Sequence, residues 1–384
     1  MPNLPPTSNK PGYPPGKIVF VMNGFLLGGA EKQLATLFSA RPSFMNEVGV
    51  EIITFLPTQS DLIADWFAAM GVKSTLVNRE ALSFPNFFWK LVTTIRSIRP
   101  QIVHTLLDSS TGTWGRLAAR LAGVPYIFHS DLSLREDGTR IHFLLRPWLD
   151  RLTRRFLPNA EATAERLVRS GVPREKIIVI PNGVDLTKFA PDTTPSPRAA
   201  WGIPASALVA GFLGRFHPIK RLDLLLDAVL QLPVPERPDY LVLGGDGPTM
   251  PMVRERVAGD SWLQEHCLLL GTVEDVPGFM AGIDYLVLCS DTEGLPNAVL
   301  EAMAMRRPVV TTSVSDLPRL VSDVGFTAEP GNAASLARAL KQLRHLPPEQ
   351  RAAMGTKARE RVLANYDLNT ISERFWRAHL EIVS

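Results

Sequence analysis

Residues 290–304 read SDTEGLPNAVLEAMA and follow the apolar run YLVLC of residues 285–289. A short run of that kind fills a buried parallel strand, and Gly294 and Pro296 interrupt it before helical spacing begins. The stretch therefore predicts a strand, a tight loop and a helix. Pro296 suits the first helical turn, where its missing N–H costs nothing. The amides of Leu295, Asn297 and Ala298 would then point out of a helix N-terminus, a place that accepts anions. Glu293 stands just before those amides, and Glu301 about a turn and a half into the helix. Carboxylates accept hydrogen bonds from hydroxyls, so the pair could border a phosphate-bearing ligand through its sugar or ribose. Two solvated helix-end charges are the plainer reading of any such pair, and the other loops decide between them.

Outward from this stretch the same pattern recurs. Apolar runs at residues 208–213, 240–243, 267–270 and 308–311 alternate with helical stretches such as 221–230, where Leu222, Leu225, Leu226 and Val229 share one face. Residues 333–343, 348–365 and 368–383 read as closing helices. The first half repeats the plan, with strands expected at 17–22, 48–55, 73–77, 102–106, 126–129 and 176–180 and helices between them. Alternation of this kind makes successive βαβ units and parallel sheets. The predicted fold is α/β, with two Rossmann-like doubly wound domains whose strand ends face a common cleft. The expected divisions are a disordered tail at 1–16, holding six prolines and two glycines, a domain at 17–185, a second at 186–366, and a helix from 367 to 384 crossing back to the first.

Composition agrees with two sizeable cores, since 384 residues exceed one ordinary domain and 45 % are hydrophobic against 21 % charged. Net charge is +3 but uneven: residues 1–190 carry 22 Lys/Arg against 15 Asp/Glu, and the rest carry 19 against 23. The basic first half suits a phosphorylated acceptor or an anionic membrane face. Cys267 and Cys289 lie in or beside apolar runs and read as small buried hydrophobes, with no disulfide framework. No apolar leader and no run of ~18 apolar residues is present, so a cytoplasmic protein is expected.

Three loops carry chemistry. Residues 24–31 (GFLLGGAE) bring backbone close to a ligand at a helix start, though without the GxGxxG spacing of dinucleotide sites; Glu31 there reads as a partner of the helix dipole. Residues 214–220 (GRFHPIK) place Arg215 and Lys220 where both can reach one multiply charged anion such as a diphosphate. His129 ends the apolar run YIFHS, where a histidine can hydrogen-bond a substrate or move a proton, although most single histidines are structural. His104, one strand earlier, reads as structural.

Taken together, GGAEKQL (28–34), PNGVDLTKF (181–189), GRFHPIKR (214–221), GGDGP (244–248) and EGLPNAVLE (293–301) occur in the order and approximate spacing of retaining glycosyltransferases of family 4. The chain resembles that family from Lys17 onward. The resemblance implies the GT-B fold and transfer of a sugar from a nucleoside diphosphate donor, UDP- or GDP-linked, to a hydroxyl of a glycan, lipid-linked or small-molecule acceptor, with retention and without metal or cofactor. It implies a catalytic set of His129, Arg215, Lys220 and Glu293. Glu293 would contact the donor sugar, Glu301 the ribose, and Arg215 with Lys220 the diphosphate. Gly28, Gly29 and Gly214 would line the phosphates, Gly294, Leu295, Pro296, Asn297 and Ala298 would offer amides, and Gly271, Thr272 and Val273 would lie against the base. Leu295–Pro296 departs from the Gly or Phe of many relatives and leaves donor preference open.

Two segments bear on the acceptor side. Residues 84–99 (FPNFFWKLVTTIRSIR) and 140–156 (RIHFLLRPWLDRLTRRF) mix aromatics and leucines with Lys/Arg, as membrane-surface helices do and as core-facing helices with outer arginines do equally. Pro147 should break or kink the second. The expected partners are a nucleotide-sugar donor, a glycan or lipid-linked acceptor and, peripherally, the anionic inner face of a membrane, with no nucleic acid. The rival readings are a sugar-nucleotide epimerase on the same plan and a non-catalytic nucleotide-sugar-binding protein.

Overall fold

The computed structural model describes residues 16–25, 28–40, 48–107, 110–132 and 139–381. The proline-rich tail read at 1–16 lies, but for Gly16, outside them. Twelve strands form two six-stranded sheets in which every pairing is parallel. The first holds β1 (Ile18–Met22), β2 (Val50–Thr54), β3 (Lys73–Leu76), β4 (Ile102–Leu106), β5 (Tyr126–Ser130) and β6 (Arg155–Phe156), in the order β3-β2-β1-β4-β5-β6. The second holds β7 (Val209–Leu213), β8 (Tyr240–Gly244), β9 (Cys267–Gly271), β10 (Tyr285–Leu288), β11 (Val309–Thr312) and β12 (Gly325–Ala328), in the order β12-β11-β10-β7-β8-β9. Both are the doubly wound order, with switch points between β1 and β4 and between β7 and β10. The central strands are buried on both faces, which is why IVFVM in β1 and YLVL in β10 read as unbroken apolar runs.

Two expectations fail. Residues 176–180 form no strand; the sixth strand of the first sheet is the two-residue Arg155–Phe156, and Ile177 makes only an isolated bridge to Phe156. An edge position this short needs no apolar run, so the pattern gave no sign of it. The helix Arg140–Leu152 is not broken at Pro147 but continues through it, without the bond that an N–H there would make to the Phe143 carbonyl. Strand β12 (GFTA) was not anticipated because only its last residue is buried.

The chain passes between the two sheets at Val184 and again near Asp367, and the passages are bonded side by side: the Val184 amide donates to the Tyr366 carbonyl (2.8 Å) and the Leu368 amide to the Val184 carbonyl (3.0 Å). The last helix, Leu368–Leu380, then lies on the first sheet, where Leu368, Ile371, Phe375, Trp376 and Ala378 join a core with Phe20, Phe38 and Phe67. A polar chain runs through that contact. The His379 Nδ1 proton goes to the Phe375 carbonyl (2.8 Å), so its Nε2 accepts from His104 Nδ1 (2.9 Å), and His104 Nε2 accepts from the Ser130 hydroxyl (2.8 Å). Both imidazoles are neutral, burial pushing His379 down to about 4 and His104 well below its usual value. His104 is thus structural, as its position suggested.

Candidate active site

The loops after β7 and β10 meet at the switch point of the second sheet and are bonded to one another. The Asp291 amide donates to the Ile219 carbonyl (2.9 Å), and Arg221, held at φ 51°, reaches Asp291 Oδ1 at 3.1 Å. Cys289 Sγ lies 3.1 Å from the Lys220 carbonyl, its thiol pushed up to about 12 by burial and therefore inert. Lys220 ends a single 3₁₀ turn, Pro218–Lys220, capped by His217, and its Nζ stands 2.5 Å from Glu293 Oε1. The Ser290 hydroxyl donates to that same oxygen at 2.5 Å. One carboxylate oxygen is thereby occupied twice, while no such contact to the other is given among the described residues.

Beyond Glu293 the loop is wedged against the first sheet's unit. A Cβ at Gly294 would stand 2.4 Å from the Leu132 carbonyl oxygen and 2.7 Å from Asn159 Oδ1, so glycine is needed for the approach. Asn182, from the passage between the sheets, donates both amide protons at 2.6 Å, one to the Leu295 carbonyl and one to Asn297 Oδ1. Asn297 Nδ2 in turn donates to the Gly29 carbonyl at 3.2 Å, joining the donor-side loop to the glycine loop of the first unit. Pro296 is the residue before the helix Asn297–Ala304 and not part of its first turn, because its ψ of 126° is extended; the amides of Asn297 and Ala298 lead the helix. Asp316 also spans the units, its two oxygens accepting from the Glu161 and Ala162 amides at 2.7 and 2.9 Å and so capping the helix Glu161–Arg169, which has no side-chain cap of its own.

Gly28 is the N-cap of the helix Gly29–Ser39, and Glu31 in its first turn is only 3 % exposed. Its carboxyl curls back so that a Cβ at Gly28 would lie 2.3 Å from Glu31 Oε2. Burial pushes Glu31 up to about 7, against the pull of Arg215. Arg215 itself is exposed on the loop after β7. Glu301, half-buried on the helix Asn297–Ala304, is also pushed up to about 7 by burial, opposed by Lys32 of the first unit and by Lys188.

Gly214 donates its amide to the Gly244 carbonyl (3.0 Å), and Gly245 its amide to that of Gly271 (2.6 Å), so the loops after β7, β8 and β9 form one wall. Gly245 at φ 137° and Gly247 at φ 150° are positions only glycine fills readily. Gly271, at φ 65°, ends the edge strand β9, and Thr272 and Val273 follow it; Val273 packs over Gly244 and so joins the wall.

His129 lies at the end of β5, 7 % exposed. Its Nδ1 sits 2.9 Å from Thr105 Oγ1 and 3.2 Å from the Thr105 carbonyl. A carbonyl only accepts, so Nδ1 carries the proton and Nε2 the lone pair. Burial first, then the Arg116 guanidinium, hold the ring well below its usual pKa, and it is neutral. Arg116 is itself buried and paired with Asp150 at 2.7 Å.

The structure thus brings Lys220, Glu293, Leu295, Pro296, Asn297 and Gly29 together, with Arg215 exposed on the loop after β7. Sequence reasoning missed Asn182, Asn159 and Asp316, and it read Glu31 as a partner of the helix dipole without seeing that its carboxyl is buried. Asn182 stood within the PNGVDLTKF motif of the resemblance without a role of its own, and Asn159 and Asp316 act across the two units, where no local pattern reports them.

Residues 27–188 match the family model described as Glycosyltransferase Family 4, and residues 207–345 the one described as Glycosyl transferases group 1. The protein EpsF of Bacillus subtilis (strain 168) is 29 % identical over 93 % of this chain and 97 % of its own. A UDP-Gal:alpha-D-GlcNAc-diphosphoundecaprenol alpha-1,3-galactosyltransferase of Escherichia coli is 28 % identical over 84 % of this chain and 87 % of its own. Among solved structures, Anabaena Alr3699/HepE in complex with UDP and glucose superposes with a TM-score of 0.79 at 20 % identity, covering 95 % of this chain and 100 % of that one. At that identity the likeness establishes the shared GT-B fold.

Proposed function

The chain belongs to the group 1 glycosyl transferases of family 4, and on that premise we propose that it moves a sugar from a uridine diphosphate donor to a hydroxyl of a lipid-linked glycan, retaining the donor's anomeric configuration. Relatives in polysaccharide and glycolipid assembly favour this over an epimerase. The observation that carries the reading is the Lys220–Glu293 pair at the β7/β10 switch point, joined through Asn297 to the glycine loop of the facing sheet.

In this reading residues 17–185 hold the acceptor, 186–366 hold the donor, and the segment from 367 closes the acceptor side. Arg215, Lys220 and the Asn297 and Ala298 amides meet the diphosphate and supply its counter-charge without a metal. As the bond from the anomeric carbon to the phosphate oxygen breaks, charge grows on that oxygen beside Lys220. The acceptor oxygen bonds to the same face of the carbon, and its proton passes to the departing phosphate. Glu293, one oxygen held by Lys220 and Ser290, offers the other to a sugar hydroxyl and does not act as nucleophile. His129 offers its Nε2 lone pair to another hydroxyl, and Glu301 faces the ribose.

Thermal shift with UDP-, GDP- and ADP-glucose in EDTA tests the donor. Saturating UDP-glucose, at ~100 times its Kd, stabilises by ~2.7 kcal/mol, and the anomeric proton of the transferred sugar, read by NMR, keeps the donor's configuration. No stabilisation by any of the three, or an inverted product, overturns the reading.

A specific surface supports a membrane-borne acceptor. Phe84 and Trp89 on the helix Phe84–Ile98 and Ile141, Phe143, Leu144 and Trp148 on the helix Arg140–Leu152 are exposed, Leu144 to 78 %. Trp114 bridges the two helices, 4.7 Å from Phe84 and 5.7 Å from His142. Lys90, Arg140, Arg151 and Arg154 are exposed on or just beyond the same helices. No helix among the described residues is long and apolar enough to cross a membrane, so the contact would be peripheral, at the cytoplasmic face. The protein should float with phosphatidylglycerol vesicles in low salt and lose that binding in 0.5 M salt; failure to float in low salt removes the membrane from the proposal.

A further inference from the structure

His129 is braced on three sides. Its Nδ1 edge rests on Thr105, its register partner on β4, whose hydroxyl and carbonyl oxygens lie 2.9 and 3.2 Å away. The ring of Phe156 meets it edge to face at 6.0 Å. The third side is backbone. After β4 the chain makes a single π-helical turn, Thr111–Gly115, anchored where the Thr111 hydroxyl donates to the Leu106 carbonyl at 2.6 Å. A Cβ at Gly112 would stand 2.8 Å from His129 Cε1 and 3.4 Å from Nε2, and one at Gly115 would stand 2.7 Å from Thr105 Cγ2. The two glycines of the turn therefore press on the ring and on the residue that holds the ring. Wide turns of this kind are rare and are met mostly at functional sites.

What fixes the turn is Arg116, the first residue of the helix Arg116–Ala122 that continues it. Its Nε donates back to the Gly112 carbonyl at 2.6 Å, while its Nη1 donates to Asp150 Oδ1 at 2.7 Å and to the Thr153 hydroxyl at 3.1 Å. Both Arg116 and Asp150 are buried. A buried ion pair contributes little net stability over an apolar pair of similar volume, but the fixed fork of a guanidinium places the groups it bonds closely.

We propose that Arg116, held by Asp150, is a positioning residue for His129: by pinning the Gly112 carbonyl it keeps the π-helical turn against the Cε1 edge of the ring and so sets the direction of the Nε2 lone pair toward the donor sugar. The inference rests on the sugar contact proposed for His129 above. The charge of Arg116 acts in the same sense, since it disfavours a protonated ring and leaves Nε2 free to accept.

Two variants of the full chain test this. Arg116→Lys leaves Asp150 a cation, but a single nitrogen cannot serve both Asp150 and the Gly112 carbonyl as the guanidinium does. Arg116→Met combined with Asp150→Leu removes both charges and strands neither. Calorimetric titration with UDP and with UDP-glucose gives two dissociation constants, and their ratio isolates what the sugar contributes. Damage to packing alone lowers the melting temperature or weakens both ligands alike, whereas lost positioning weakens UDP-glucose selectively. Expected in each variant is a ~3- to 10-fold rise in the ratio of the UDP-glucose constant to the UDP constant, about one hydrogen bond, with UDP itself bound within about twofold of the unaltered protein. His129→Ala should raise the ratio by a similar factor, and Arg116→Lys added to His129→Ala should raise it no further. A ratio unchanged in either folded variant while His129→Ala shifts it overturns the inference and leaves the donor reading standing, as does a further rise in the His129→Ala background. If His129→Ala leaves the ratio where it was, the sugar contact falls, and the inference with it. If UDP-, GDP- and ADP-glucose all fail to bind the unaltered protein, the donor reading itself falls.

Discussion

Lys220→Ala is expected to lower kcat by ~10²–10³, about 3 to 4 kcal/mol of transition-state stabilisation. Two effects add. On the proposed reaction the departing diphosphate loses a cation beside its growing charge, and Glu293, whose side chain is only 10 % exposed, loses the ammonium 2.5 Å from Oε1. A carboxylate stripped of its partner at such a site is destabilised and drawn toward protonation or a new rotamer. The KM for donor should rise as well, because the ammonium meets the diphosphate in the ground state too, but less than kcat falls. Lys220→Arg should rescue little, since a planar guanidinium cannot replace a point charge at the end of a 3₁₀ turn that sits between Glu293 and a phosphate. Steady-state kinetics at saturating donor decide the matter; a kcat within threefold of the unaltered protein would remove Lys220 from the reaction.

The second large effect is on stability. Trp376→Ala should cost ~3–5 kcal/mol and lower the melting temperature by roughly 10 °C. Trp376 is 2 % exposed, with its ring 5.0 Å from that of Phe38 and 6.2 Å from that of Phe20. These rings belong to β1 and the helix after it, the elements that aim Gly28 and Gly29 at the cleft. Collapse of the cavity would be resisted by Phe375 and by the His104–His379 bond on the same helix. A loss below ~1 kcal/mol in a calorimetric melt would show that the last helix is only loosely seated.

Much of this architecture was legible in the sequence, for a reason visible in its strands. Parallel strands covered on both faces are mostly apolar and β-branched, so β1, β7, β8 and β10 announced themselves, as did β4 and β11 despite His104, Thr105, Thr311 and Thr312. Each was followed by a loop whose glycines or charges marked the cleft edge. Arg155–Phe156 and Gly325–Ala328 escaped because edge strands do not need that pattern. Within the site, Glu293, Lys220 and the loop between Gly294 and Ala298 could be read because strand, loop and helix lie consecutively in the chain. Asn182 and Asp316 could not, since each acts on backbone more than a hundred residues away. Glu31 illustrates a different limit. Its place in a first helical turn was plain, but its burial depends on how the chain folds the carboxyl back over Gly28, and that burial sets its charge.

The double passage at Val184 and Asp367 has a consequence for how the molecule is made. The first sheet's core is complete only when Leu368, Ile371, Phe375 and Trp376 arrive, and those residues leave the ribosome after the whole second sheet. At ~5–20 residues per second, the gap of about 200 residues lasts on the order of 10 to 40 seconds. During that interval the sides of Phe20 and Phe38 that Phe375 and Trp376 cover stay open to water, while the later half already has all its own strands. The order of synthesis is thereby not the order of completion: the half made second is the first that can finish folding, and the half made first completes its core only when the last helix lands.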